Sequence, residues 1–118
     1  MKDQAYRMAL LFDFYGDTLT DRQKEFYDLY YNEDLSLSEI AENNGISRQG
    51  VRDVIVRAQA SLTELEEKTG IIQRFLTMKD QLTAIQDQVK QIASRSDDPQ
   101  VDALCESVTS ALETMKQE

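Results

Sequence analysis

Ser47, Arg48, Gln49, Arg52 and Arg57 are the side chains of this chain with the best-defined chemistry. An arginine offers a planar fork of donors to guanine or phosphate, a glutamine pairs with the edge of adenine, and a serine hydroxyl donates to phosphate. The first residues of a helix can carry such groups into a groove of nucleic acid. Other chemistry finds little support. The chain has no histidine and one cysteine, Cys105, which leaves no zinc site, no Ser-His-Asp triad and no Cys-His pair. Cys105 reads as a small buried apolar side chain on a helix. The acidic pairs Glu33-Asp34, Glu66-Glu67 and Asp97-Asp98 fall at helix ends and loops, where solvated charge is ordinary. No enzyme activity, cofactor or metal is expected.

Charge opposes the nucleic-acid reading. The net charge is −9, whereas nucleic-acid affinity comes largely from neutralised phosphates. From Ser36 to Leu62, three arginines oppose Glu39, Glu42 and Asp53, a net of zero. A DNA-reading helix usually sits in a clearly positive surface. Gly50 stands where a side chain is usual and weakens the helix by up to ~1 kcal/mol relative to alanine. Two functions stay open. One is regulation through a local arginine patch on DNA or structured RNA. The other is a protein–protein adaptor that keeps the scaffold without DNA binding.

The elements that would position these residues follow from periodicity and caps. The 118 residues, 41% hydrophobic and 30% charged, suit a folded all-α protein. A first helix is predicted from Asp3 to Tyr15, with Tyr6, Ala9, Leu10, Asp13 and Phe14 at helical spacing and Met8, Leu11, Phe12 and Tyr15 widening the stripe. Gly16-Asp17 ends it. Thr20 and Gln23 form a capping box for a second helix to about Tyr31, burying Phe26, Leu29 and Tyr30. Ser36, with Glu39, caps a third helix from Leu37 to about Asn43, and Leu37, Ile40 and Ala41 face inward. Asn44-Gly45 is a turn, with Gly45 suited to the left-handed conformation. Ser47 caps a fourth helix, in which Val51, Val54, Ile55, Ala58, Leu62 and Leu65 recur every three or four residues until Thr69-Gly70. A short helix, a tight turn and a second helix held by a few apolar contacts make a helix-turn-helix.

Beyond Gly70 the pattern changes. Ile71, Phe75, Met78, Leu82, Ile85, Val89 and Ile92 form a heptad seam. Ser94 to Pro99 is a polar stop, and Asp98-Pro99 opens a last helix carrying Val101, Leu104, Cys105, Val108, Leu112 and Met115. The expected division is residues 1–70, a four-helix helix-turn-helix domain, and residues 71–118, a helical hairpin. The hairpin packs on itself and on the first block, or it pairs with a second copy to give a homodimer.

The residues Leu19-Thr20-Asp21-Arg22-Gln23, Leu29-Tyr30-Tyr31, Leu37-Ser38-Glu39-Ile40-Ala41, Ile46-Ser47-Arg48-Gln49 and Val51 resemble the fourth conserved region of sigma factors and the LuxR-type regulators. With Met8-Ala9-Leu10-Leu11-Phe12-Asp13-Phe14-Tyr15 ahead of them and a helical tail behind, the chain looks more closely like the YlxM family of small bacterial helix-turn-helix proteins. The resemblance is strongest over residues 6 to 70. It implies a sigma-like helix-turn-helix protein with a regulatory link to the signal recognition particle pathway, and signal recognition particle components as partners. Carried over by position, it also implies that Arg48, Gln49 and Arg52 face base edges while Ser47 and Arg57 touch phosphate. No apolar run approaches the ~20 residues of a membrane span, and Met1-Lys2-Asp3-Gln4 does not open a signal peptide. Cytoplasmic residence without membrane insertion is expected.

Overall fold

The computed structural model describes residues 4–117; Met1-Lys2-Asp3, and with them the expected helix start at Asp3, lie outside. The described residues form an all-α fold of six helices: α1 Ala5–Tyr15, α2 Asp21–Tyr31, α3 Leu37–Asn44, α4 Arg48–Thr69, α5 Ile71–Ser94 and α6 Pro99–Gln117. A 3-10 turn, Gly16–Thr18, follows α1.

Caps decide where these helices begin. The Thr20 hydroxyl accepts from the Gln23 amide at 3.2 Å, and the Thr20 N–H donates to the Gln23 side chain at 3.0 Å. Ser36 and Glu39 repeat the exchange at 3.0 and 3.1 Å. Each box satisfies two donors that a helix start otherwise leaves unpaired. Asp98 accepts from the Gln100 N–H at 2.9 Å ahead of α6, where Pro99 needs no donor of its own.

The chain divides into two compact units, Met1–Ile72 and Gln73–Glu118. In the first, α4 packs against α1, α2 and α3. Its Val51, Ile55, Ala58 and Leu62 are fully buried, facing a core that includes Leu11, Phe26, Tyr27 and Ile40. The buried face of α1 is Met8, Leu11 and Tyr15, not the stripe expected from Tyr6; Tyr6 is 71% exposed. Apolar residues surround so much of this short helix that the neighbouring helices, rather than its own pattern, select the inward face. On α2, Tyr27 and Tyr31 join Phe26 and Tyr30 in the core, while Leu29 is half-buried. The Tyr27 hydroxyl donates to the Met8 carbonyl at 2.7 Å, tying α2 to α1.

Glu66 is not a solvated acid. It accepts from the Tyr15 hydroxyl at 2.7 Å and from the Ile72 N–H at 3.0 Å. The Thr69 hydroxyl lies 2.6 Å from the same Tyr15 oxygen and accepts from the Ile71 N–H at 3.3 Å. This network explains why Ile71 and Ile72 belong to the first unit although they begin α5.

In the second unit α5 and α6 pair through their side chains. Gln86, 5% exposed, donates to Glu113 at 2.6 Å and accepts from Lys116 at 3.2 Å. A buried polar residue with partners in one position only sets the register of such a pairing. Leu82 and Leu112 are buried, and Cys105 is half-buried in a groove with Val89, Ala93 and Thr109, rather than enclosed as expected. The heptad seam is therefore split. Leu82 and Val89 turn toward α6, whereas Met78, Ile85 and Ile92 stay exposed.

The buried phenols set an alkaline limit. Burial raises the Tyr15 hydroxyl, with a further push from the Glu66 carboxylate. It moves Tyr31 to about 12 and Tyr27 also upward. The fold thus favours the neutral phenols; their contribution is complete below the unfolded value near 10 and is lost as pH rises through the folded values. With no histidine to titrate, stability in urea should be level from about pH 6 to 9 and fall above about pH 10. Denaturation followed by circular dichroism checks this, and Tyr31→Phe should shallow the alkaline fall.

Candidate nucleic-acid interface

The α3–turn–α4 corner is built from local rules. Leu37, Ile40 and Ala41 are buried on α3. Gly45 then takes φ +63 and returns its N–H to the Ala41 carbonyl, a conformation that costs other L-residues roughly 1–2 kcal/mol. The Ile46 N–H donates to the same carbonyl at 3.2 Å. Ser47 is the N-cap of α4, its oxygen accepting from the Gly50 N–H at 2.9 Å. The hydroxyl proton is still available to an outside acceptor.

Gly50 has a local reason. A Cβ there would lie 3.1 Å from the Ser47 hydroxyl oxygen, tighter than ordinary contact, so glycine leaves room for the cap. The helix-propensity cost is the counterpart of that room.

Ser47, Arg48, Gln49, Arg52 and Arg57 are all exposed. At about 100° per residue, Arg48 and Arg52 lie one turn apart on one flank of α4, while Arg57 is rotated roughly 140° from Arg52. The structure brings Arg48 and Arg52 together with Ser47 at the helix start; it does not bring Arg57 onto their flank. Gln49 donates from its amide to Asp53 at 2.9 Å, so one of its reading groups is already engaged. Among the described residues, the ion pairs use Lys24, Lys68 and Lys116, and none uses Arg48, Arg52 or Arg57.

Two further residues extend this flank and carry no obvious signal in the sequence. Val56 continues the Arg48–Arg52 row by one more turn and is 38% exposed. It shares a shallow groove with Arg7 of α1 and with Gln59, Thr63 and the carboxylates of Glu64 and Glu67. An exposed valine on such a row suits a thymine methyl. Arg7 is distant in sequence, so only the packing of α1 on α4 reveals it.

Among the described residues, no three His, Cys, Asp or Glu side chains converge as a metal site requires. Nor is any helix among them long and apolar enough to cross a membrane.

Comparison with known proteins agrees with this architecture. The chain is 40% identical over 115 residues to the UPF0122 protein of Thermoanaerobacter sp. (strain X514), covering 98% of each. It is 51% identical over 90 residues to the UPF0122 protein of Acetivibrio thermocellus, covering 76% of this chain and 77% of that one. The Shouchella clausii UPF0122 protein is 40% identical over 115 residues, 98% of this chain and 99% of its own length. The family pattern itself matches residues 2–101. An all-α chain with a capped helix-turn-helix, matched along nearly its whole length, belongs to the UPF0122 family, described as "Putative helix-turn-helix protein, YlxM / p13 like".

Proposed function

We propose that this protein is a non-enzymatic regulator that binds nucleic acid through the start of α4. Arg48 and Arg52 make base or phosphate contacts there, Ser47 donates to phosphate, and Gln49 reads a base edge once it releases Asp53. Arg57, on another flank, reaches the backbone. The supporting observation is that Arg48 and Arg52 stand exposed and side by side at a well-capped helix start, with no carboxylate among the described residues paired to either.

The likeness to YlxM proteins makes the signal recognition particle, with its RNA, the first nucleoprotein to test, and cytoplasmic residence goes with that reading. Homodimerisation through residues 71–118 would give one particle two copies of α4, as symmetric sites generally require. The test is titration of the purified protein with duplex DNA, structured RNA and signal recognition particle components across a salt series. Binding to one nucleic acid that weakens steeply with salt supports the reading. Binding only to a protein component, unchanged in Arg48→Ala/Arg52→Ala, favours the adaptor, which the −9 net charge also favours.

Asp53 supplies a prediction with an unusual sign. It is a carboxylate beside the arginine row and holds the Gln49 amide. Asp53→Ala removes like-charge repulsion with phosphate and frees Gln49, so nucleic-acid affinity should rise by about 3- to 10-fold. Fluorescence anisotropy with a labelled duplex or hairpin reads this directly. A fall in affinity would show that Asp53 positions Gln49 rather than restrains it.

A further inference from the structure

The second unit carries an apolar face that its own hairpin does not use. On α5 the face is Met78, Ile85 and Ile92, spaced by seven; on α6 it is Leu104, Val108 and Met115. Their exposures run from 38% to 67%. The surfaces with which α5 and α6 meet are centred on Leu82, Gln86, Val89 and Ala93, and on Cys105, Thr109 and Leu112.

Helix geometry fixes where the exposed stripes point. At about 100° per residue, each stripe lies roughly 70–90° round its helix from the line of contact. Because the two helices run antiparallel, the same sense of rotation carries both stripes to the same side of the hairpin. A right angle between a helix's two apolar stripes is the arrangement of a four-helix bundle, in which every helix meets two neighbours. The hairpin provides two helices, and its face has the shape to receive two more.

Charge selects the occupant. Asp80, Asp87, Asp102, Glu106 and Glu113 all lie roughly 140–180° from the stripe on their own helix, on the opposite side of the hairpin. The residues edging the stripes are instead Gln81, Gln88, Ser107 and Ala111, with Arg74 and Arg95 toward the ends. In a chain of net charge −9, the face without carboxylates is the one where two copies meet without repulsion. The face is about 21 Å long from Met78 to Ile92 and two helices, or ~20 Å, wide. As a flat footprint that is about 400 Å², the size of the largest apolar patches on monomers, which are often functional.

We propose that two copies of this chain pair through this face, so that two α5–α6 hairpins close into an intermolecular four-helix bundle. The proposal does not rest on the nucleic-acid reading. It names the surface that the homodimer of that reading would use.

The test is analytical ultracentrifugation of the full chain from about 1 to 100 µM, with dissociation expected within or below that range. The expected species has twice the 13.6 kDa chain mass. Ile85→Lys/Leu104→Lys alters only exposed positions and should weaken self-association at least about 100-fold while helical circular dichroism is unchanged. Gln81→Lys/Ser107→Lys, at the edge, should weaken it far less, which separates a loss of the interface from a general effect of charge. A wild-type chain that sediments as a monomer at 100 µM overturns the proposal. So does a dimer that survives Ile85→Lys/Leu104→Lys, since it must use another surface. If Arg48→Glu/Arg52→Glu abolishes nucleic-acid binding but leaves the dimer intact, the two readings are separately established.

Discussion

Ile55→Ala should cost about 2–4 kcal/mol of stability in the first unit. Ile55 is fully buried on the face of α4 that meets α1, α2 and α3. Removing three carbons there loses transfer free energy and leaves a cavity that four helices cannot close without shifting their caps. A domain of this size is stable by only about 5–15 kcal/mol, so the loss is a large fraction of the whole. The next residue makes the control. Val56 is exposed, and Val56→Ala should change stability by less than about 0.5 kcal/mol. Urea denaturation of both variants checks the contrast. Equal effects would mean that α4 is rotated from the face described.

Arg48→Glu/Arg52→Glu should leave stability nearly unchanged and weaken nucleic-acid binding by about 30- to 1000-fold, equivalent to roughly 2–4 kcal/mol. Neither arginine is buried or ion-paired within the described residues, so the fold loses little. Binding loses two cations from the row that faces the ligand and gains two charges that phosphates repel. Because the net charge is −9, no distributed positive field can compensate. Arg57→Glu, on another flank of α4, should have a smaller effect. A melting curve beside the binding isotherm distinguishes lost contacts from lost structure.

The helix boundaries were legible because their causes are local. Thr20 with Gln23, Ser36 with Glu39, Ser47, Gly45 and Asp98-Pro99 act within three or four residues, and each behaves as its type dictates. The exposure of Arg52, about 90° round α4 from the centre of its buried face, was equally legible, whereas Arg48 lies only about 20° from Ile55 and is exposed as the first residue of the helix. The separation of Arg57 was implicit in the same periodicity: nine residues make two and a half turns, half a turn off the starting direction. The Gln49–Asp53 bond was also within reach, as an i, i+4 pair on an exposed helix.

What escaped depended on distant partners. Glu66 looks like half of a solvated acidic pair until Tyr15, 51 positions away, is placed against it. Gln86 lies beside the apolar seam, and only Glu113 and Lys116 on α6 explain a buried amide there. The inward face of α1 was ambiguous for a different reason. A helix apolar on most sides leaves the choice to its surroundings, and Met8, Leu11 and Tyr15 are buried where Tyr6 is not.

The arginine row is tested most directly by the salt dependence of nucleic-acid affinity, compared between the wild-type chain and Arg48→Ala/Arg52→Ala. The logarithm of affinity should fall linearly with the logarithm of salt concentration, and the double variant should lose about two from the magnitude of that slope. Parallel lines for the two proteins, or no binding to any duplex or structured RNA even at about 50 mM salt, would contradict groove or backbone contact by the start of α4.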